Sequence, residues 1–219
     1  MERLKYLYTT NRPFFTCFML WFILLTAVAF CIPKQYSFQI INSNNHPFAD
    51  VFFTASTYTG DGLFVIAAAV ICYLIRKRQI AFSLVGTYVF SGLICSVLKN
   101  TFQAYRPAMF FENLSTFHIV PWLPLAHHNS FPSGHTTSAF AMATTIALLS
   151  GNKKLGVVAI CIAFLAGYSR VYLGQHFVED IWFGSFLGVS TSCLYLLLLP
   201  YLSSKNLLKT NFPRPSIKL

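Results

Sequence analysis

Six stretches of the chain are apolar over lengths that approach a membrane span, for which roughly 20 such residues are needed. The pattern predicts helices over residues 14–32, 57–75, 80–98, 135–150, 155–168 and 181–199. Pro13 sits at the start of the first, and Pro200 marks the end of the sixth. The second has a short core from Leu63 and must borrow the weakly polar turn around Gly60, Asp61 and Gly62. The fourth and fifth are short, which places their ends in a protein-lined site rather than in lipid. There is no internal repeat or low-complexity tract, and 219 residues suit one domain. The expected fold is all-α: a polytopic membrane protein, with residues 1–219 forming a single membrane-embedded six-transmembrane-helix bundle.

The connections differ between the two faces of such a bundle. On one face they are only a few residues long. On the other, residues 33–56 carry Phe38, Phe48, Phe52 and Phe53 among polar residues, the pattern of a short amphipathic helix in the headgroup layer. Residues 104–132 hold Pro107, Pro121 and Pro124 with Phe110, Phe111 and Trp122. They read as an irregular lid with aromatic anchors at the interface, the alternative being an ordinary solvated loop. Functional sites tend to lie on elaborated loops, so this face is where the chemistry is expected.

Composition agrees with the membrane reading. Hydrophobic residues make up 55% of the chain and charged residues 10%, against about 25% charged in a soluble domain. The net charge of +10 would also suit a nucleic-acid binder. However, the charges lie at the ends of apolar runs rather than in one patch, which argues against a nucleic-acid partner. Cys17, Cys31, Cys72, Cys95, Cys161 and Cys193 all fall inside apolar runs, with no CxxC pair, and read as small buried residues. No small-residue cleavage site follows the first apolar stretch, so it is expected to be a span rather than a removable signal peptide.

Six spans place both termini on one side. Arg3, Lys5, Arg12, Arg76, Lys77, Arg78, Lys153, Lys154, Lys205, Lys209, Arg214 and Lys218 then share the face of the termini. Only Lys34, Lys99, Arg106 and Arg170 lie on the other. The bias predicts cytoplasmic termini and an elaborated face turned to the exterior or periplasm. Lys99, Arg106 and Arg170 are exceptions at span ends, where an unpaired charge is costly. Asp50, Asp61, Glu112, Glu179 and Asp180 are the acids on that face, and local salt bridges are one way to satisfy the cations. The other is an anionic ligand, since guanidinium groups present a planar fork of donors suited to phosphate. If residues 99–106 are helical, the spacing of Lys99 and Arg106 puts both on one face. Pro107 disfavours helical continuation at Arg106.

Two further segments join them on that face. Pro132-Ser133-Gly134-His135 precedes a span. Ser133 suits an N-cap, Gly134 permits close approach to the backbone, and a helix start favours an anion. His135 there can donate a proton to a leaving oxygen. His176 and Asp180 are four apart, so in a helical turn the carboxylate fixes the imidazole tautomer and leaves the other nitrogen free to attack. Such pairs also occur simply satisfying each other. The weight lies in all three segments meeting on one face.

Together, Lys-x6-Arg-Pro, Pro-Ser-Gly-His and Ser-Arg-x5-His-x3-Asp, running from Lys99 to Asp180, resemble the three-part signature of the type 2 phosphatidic acid phosphatase superfamily. The superfamily also contains vanadium haloperoxidases and bacterial acid phosphatases. Every fixed position of the signature is present. The resemblance implies that His176 is a nucleophile forming a phosphohistidine, that Asp180 orients it, and that His135 is the general acid. It implies that Lys99, Arg106, Arg170, Ser133 and Gly134 hold the phosphoryl oxygens, with no metal and no cofactor. The implied activity is hydrolysis of a membrane lipid phosphate or diphosphate, such as undecaprenyl diphosphate, a lipid A phosphate, phosphatidylglycerol phosphate or phosphatidic acid. The compact loops suggest a bacterial inner membrane. A lipid phosphotransferase using the same site, a vanadate-dependent peroxidase and a non-catalytic lipid-binding membrane protein are the competing readings. His46, His118, His127 and His128 are candidate headgroup contacts on the outer segments.

Overall fold

The computed structural model describes residues 7–111 and 117–204. Arg3, Lys5, Glu112 and the basic residues Lys205, Lys209, Arg214 and Lys218 lie outside the described residues. Among those described, the regular elements are helices and no strand occurs. They are α1 (Arg12–Cys31), α2 (Lys34–Asn42), α3 (Pro47–Tyr58), α4 (Gly62–Leu74), α5 (Arg78–Phe102), α6 (Pro107–Phe110), α7 (Gly134–Leu149), α8 (Lys153–Tyr172) and α9 (Val178–Ser204).

Helices α1, α5, α8 and α9 are long and apolar enough to cross a membrane, and α3 with α4 qualifies as a further, broken span bent by 59°. At 16 residues, α7 measures about 24 Å at 1.5 Å per residue, short of a full bilayer crossing. Leu20, Phe30, Leu63, Leu74, Phe82 and Val97 are each more than half exposed, so the outer surface of the bundle is one that suits lipid.

The single helix expected over residues 57–75 is broken. Asp61 is extended (φ −76°, ψ 148°) and its side chain accepts from the Leu63 amide at 2.8 Å, capping α4. Aspartate competes with helical hydrogen bonding inside a helix but stabilises a helix start, so the polar turn becomes a boundary. Residues 33–56 form α2 and the start of α3 rather than one interfacial helix, and Phe38 is fully buried. The fifth helix extends past residue 168 to Tyr172, and the sixth starts at Val178 and continues through Pro200. The polar residues Ser169 and Arg170 interrupt the apolar pattern there, yet both are buried.

The core is built around α7, which packs on α5, α8 and α9. Its small residues Ala139, Ala143 and Ala147 let neighbours approach, with Phe14, Phe18, Phe140 and Ile160 filling the space. Gly188 of α9 lies against the Thr137 carbonyl, where a side chain would collide with backbone. Close approach through small residues is how helices associate when lipid removes the hydrophobic drive. Polar contacts add to it: Thr87 Oγ1 and Thr145 Oγ1 lie 2.9 Å apart, Ser192 Oγ donates to the Ala141 carbonyl, and Trp182 Nε1 donates to Thr26 Oγ1.

This packing brings the C-terminal end of α5, the N-terminal end of α7, the C-terminal end of α8 and the N-terminal end of α9 to one end of the bundle. Arg76, Lys77, Lys153 and Lys154 mark the short connections at the other end.

Candidate active site

The predicted residues do meet, but the backbone brings them together differently from the helical-face reading. Helix α5 stops at Phe102, Gln103 takes a left-handed conformation (φ 45°), and Arg106 is extended ahead of α6. Lys99 and Arg106 are joined by residues 127–130, which fold back over them. Lys99 Nζ donates to the Asn129 carbonyl. The Arg106 amide donates to the His127 carbonyl at 2.9 Å and Arg106 Nε to the His128 carbonyl at 3.0 Å. Arg106 Nη1 reaches both the carbonyl and the Oε1 of Gln175, each at 3.2 Å.

Arg170 stands in the last turn of α8 and is buried. Its Nη1 donates to Thr57 Oγ1 at 2.7 Å, while its Nε is buried without a hydrogen-bond partner among the described residues. After α8, Gly174 turns left-handed (φ 70°) and the amides of Gln175 and His176 both bond back to the Arg170 carbonyl. That turn sets His176 beside the cation.

His176 Nδ1 lies 3.2 Å from Asp180 Oδ2, and both side chains are buried. The same carboxylate oxygen accepts from the Phe177 amide at 2.9 Å and from the Ser130 hydroxyl. His176 precedes α9 rather than sitting in it. The aspartate, three residues into the helix start, reaches back to fix both the cap and the imidazole. Burial, followed by the charges of Arg106, Arg170 and Lys99 and the nearby His135, pushes the His176 pKa well below its ordinary value. The imidazole is therefore neutral, with Nδ1 turned to the carboxylate and Nε2 as the remaining nitrogen.

Ser133 caps α7, accepting from the Thr136 amide at 3.4 Å and the Thr136 hydroxyl at 2.9 Å, and its own amide donates to the Asp180 carbonyl. Gly134 faces Lys99, whose Cε lies 3.8 Å from where a side chain would begin. His135 opens onto a cavity of about 270 Å³ lined by Asp61, Tyr88, Gly92, Lys99 and Gly134 among others.

Among the described residues, local salt bridges do not satisfy the cations. Among the described residues the ion pairs are His118–Asp50, His135–Asp61 and His176–Asp180, and none involves Lys99, Arg106 or Arg170. Arg170 is the buried one of the three; a buried cation without a counter-ion costs roughly several kcal/mol, which a bound anion offsets in part. Lys34, the fourth cation on this face, rests on aromatic rings instead, 4.1 Å from the Phe110 centroid and 4.9 Å from that of Phe177. No group of three or more His, Cys, Asp or Glu side chains suited to a metal occurs among the described residues.

Sequence reasoning did not select Ser130, Gln175 or Thr57, which buttress Asp180, Arg106 and Arg170. Only Gln175, next to His176, carried any positional hint. The four loop histidines divide: the His46 ring caps α3 through the Phe48 amide, His118 pairs with Asp50, and His127 and His128 serve Arg106 through their carbonyls, with their side chains exposed.

A helical membrane protein with a buried histidine–carboxylate pair beside cations that have no carboxylate partner among the described residues has the makings of a phosphate-handling protein. The PAP2 superfamily profile matches residues 80–204, more than half of the chain, and the chain belongs to that superfamily. It is 34% identical over 113 residues to a lipid A 1-phosphatase of Rhizobium etli, a match covering 50% of this chain and 47% of that one, so the chain spans about half that relative's length. Among solved structures it resembles the crystal structure of Aquifex aeolicus LpxE, with a TM-score of 0.67 and 30% identity over 75% of this chain and 94% of that one. It also resembles the transmembrane PAP2 type phosphatidylglycerolphosphate phosphatase from Bacillus subtilis, with a TM-score of 0.60 and 25% identity over 88% and 96% of the two chains.

Proposed function

We propose that the protein is a metal-independent phosphatase that hydrolyses a membrane lipid phosphate or diphosphate through a phosphohistidine. The observation that carries this reading is the buried His176–Asp180 pair beside Lys99, Arg106 and Arg170, three cations with no carboxylate partner among the described residues. His176 Nε2 attacks phosphorus while Asp180 holds the Nδ1 proton. The bond to the lipid oxygen breaks, and that oxygen takes a proton from His135. Water then attacks the phosphohistidine, His135 accepts its proton, the phosphorus–nitrogen bond breaks, and inorganic phosphate leaves. Lys99, Arg106, Arg170, the Ser133 hydroxyl and the Gly134 amide bear the charge on the phosphoryl oxygens, the main catalytic need in phosphoryl transfer.

His135, the proton donor in this reading, lines a cavity, which supports seating the leaving lipid oxygen there. The similarity to a lipid A 1-phosphatase and to a phosphatidylglycerolphosphate phosphatase supports a lipid substrate, with a lipid A phosphate and phosphatidylglycerol phosphate the first to test and undecaprenyl diphosphate next. Six spans complete the reading: α1, the broken α3–α4 pair, α5, α7, α8 and α9. They form one membrane-embedded domain in a bacterial inner membrane, with cytoplasmic termini and the site facing the periplasm or exterior.

Phosphate release from a panel of purified lipid phosphates and diphosphates tests the activity. Vanadate should inhibit and EDTA should not. A complete loss in EDTA that metal restores would overturn the mechanism, and no release from any lipid would favour a lipid-binding protein.

A further inference from the structure

The helix break between α3 and α4 touches the site three times, although it lies before the residues matched by the family profile. Thr57 Oγ1 accepts from Arg170 Nη1 at 2.7 Å. Gly60 packs so tightly on the His135 carbonyl that a Cβ there would collide with backbone. Asp61 uses Oδ1 to cap α4 and turns Oδ2 toward His135 Nε2, 3.8 Å away. The last separation exceeds a hydrogen bond, so the two groups interact through charge.

A general acid must hold a proton before the leaving group departs. Lys99 and Asp61 both line the cavity onto which His135 opens, and the lysine's charge opposes a positive imidazole there. Asp61 is the carboxylate that offsets it, its Oδ2 lying 3.8 Å from His135 Nε2 in the same cavity. Its placement is over-determined: the cap fixes its side chain, and the Gly60 contact fixes the break against His135.

We propose that the break at residues 57–62 is a working part of the site, in which Asp61 is a positioning residue that keeps His135 ready to protonate the leaving oxygen. Asp61 takes no proton itself. The proton passes from His135 to the lipid oxygen and is replaced from the attacking water. The inference rests on the reading of His135 as general acid, and extends it to a residue outside the three-part signature.

The test compares leaving groups, using the full chain in detergent micelles. Phosphatidic acid has an alkoxide leaving group that needs a proton, whereas the phenolate of p-nitrophenyl phosphate largely does not. Asp61→Asn removes the charge but keeps an equally good helix cap. Its kcat on phosphatidic acid should fall about 10–100-fold with KM nearly constant, a part of the roughly 10²–10⁴-fold that a general acid contributes. The fall on p-nitrophenyl phosphate should be at least about tenfold smaller. Asp61→Ser, a second neutral cap, should behave alike. Equal losses on both substrates, no loss on either, or unfolding of both variants would overturn the proposal. His135→Gln separates the two ideas. If its loss shows no leaving-group dependence, the general-acid reading fails; if it does and Asp61→Asn does not, only the role of Asp61 fails.

Discussion

Among the described residues, two histidine–aspartate pairs on the same face stand within hydrogen-bond distance, and their surroundings differ. His118 Nε2 lies 2.9 Å from Asp50 Oδ1, closer than the 3.2 Å of His176 and Asp180. Around His118 the partners are neutral: Tyr172 donates to Asp50 at 2.7 Å, and Asn42 bonds to the His118 amide and carbonyl and to the Tyr172 carbonyl. This network ties α2, α3, the loop at residue 118 and the end of α8 into one polar staple. Around His176 the surroundings are cations without carboxylate partners. A short histidine–carboxylate contact therefore says little by itself. What sets the pair proposed for chemistry apart from the structural one is the positive charge around it, which has no carboxylate partner among the described residues.

The sharpest way to break this contrast is to remove each imidazole. His176→Ala should lower phosphate release by at least about 10⁴-fold, because a covalent nucleophile has no substitute. The protein should still fold, as judged by circular dichroism in detergent; near-normal turnover would sink the assigned chemistry. Asp180→Asn should cost about 10²–10⁴-fold in kcat, since it misplaces the Nδ1 proton. Arg170→Lys should cost about 10–100-fold, because an ammonium cannot reproduce the guanidinium fork. His118→Ala should leave turnover within about threefold while lowering stability by about 1–3 kcal/mol, the cost of orphaning hydrogen-bonded groups. A large loss of activity with unchanged melting would erase the distinction between the pairs.

The smallest effect is in pH. His176 is held neutral in the folded protein, whereas an unfolded imidazole binds a proton below about pH 6.5. The unfolded state then takes up more protons as pH falls. Stability from this source is complete above about 6.5 and declines toward the depressed folded value. His176→Gln should flatten that decline in melting experiments across the acidic range. An unchanged slope would place the neutral buried imidazole elsewhere.

The sequence by itself determined the helical, membrane-spanning character, the three motif segments and the shared face of Lys99, Arg106, Ser133, Gly134, His135, Arg170, His176 and Asp180. These follow from residue type and short spacing: apolar length specifies spans, and charge at span ends stands out against lipid. Even locally it had limits. Asp61 was visible as a polar turn, but its dual use of one oxygen for a cap and the other toward His135 was not. The spacing of Lys99 and Arg106 puts them on one face only if residues 99–106 are helical, and a left-handed residue at Gln103 ends the helix between them. What the tertiary structure alone decided is which groups support the site. Thr57 meets Arg170 across 113 positions and Ser130 meets Asp180 across 50, through packing that no local period encodes. It also decided which histidine pair faces the cations, because that depends on where α5, α7, α8 and α9 end in space.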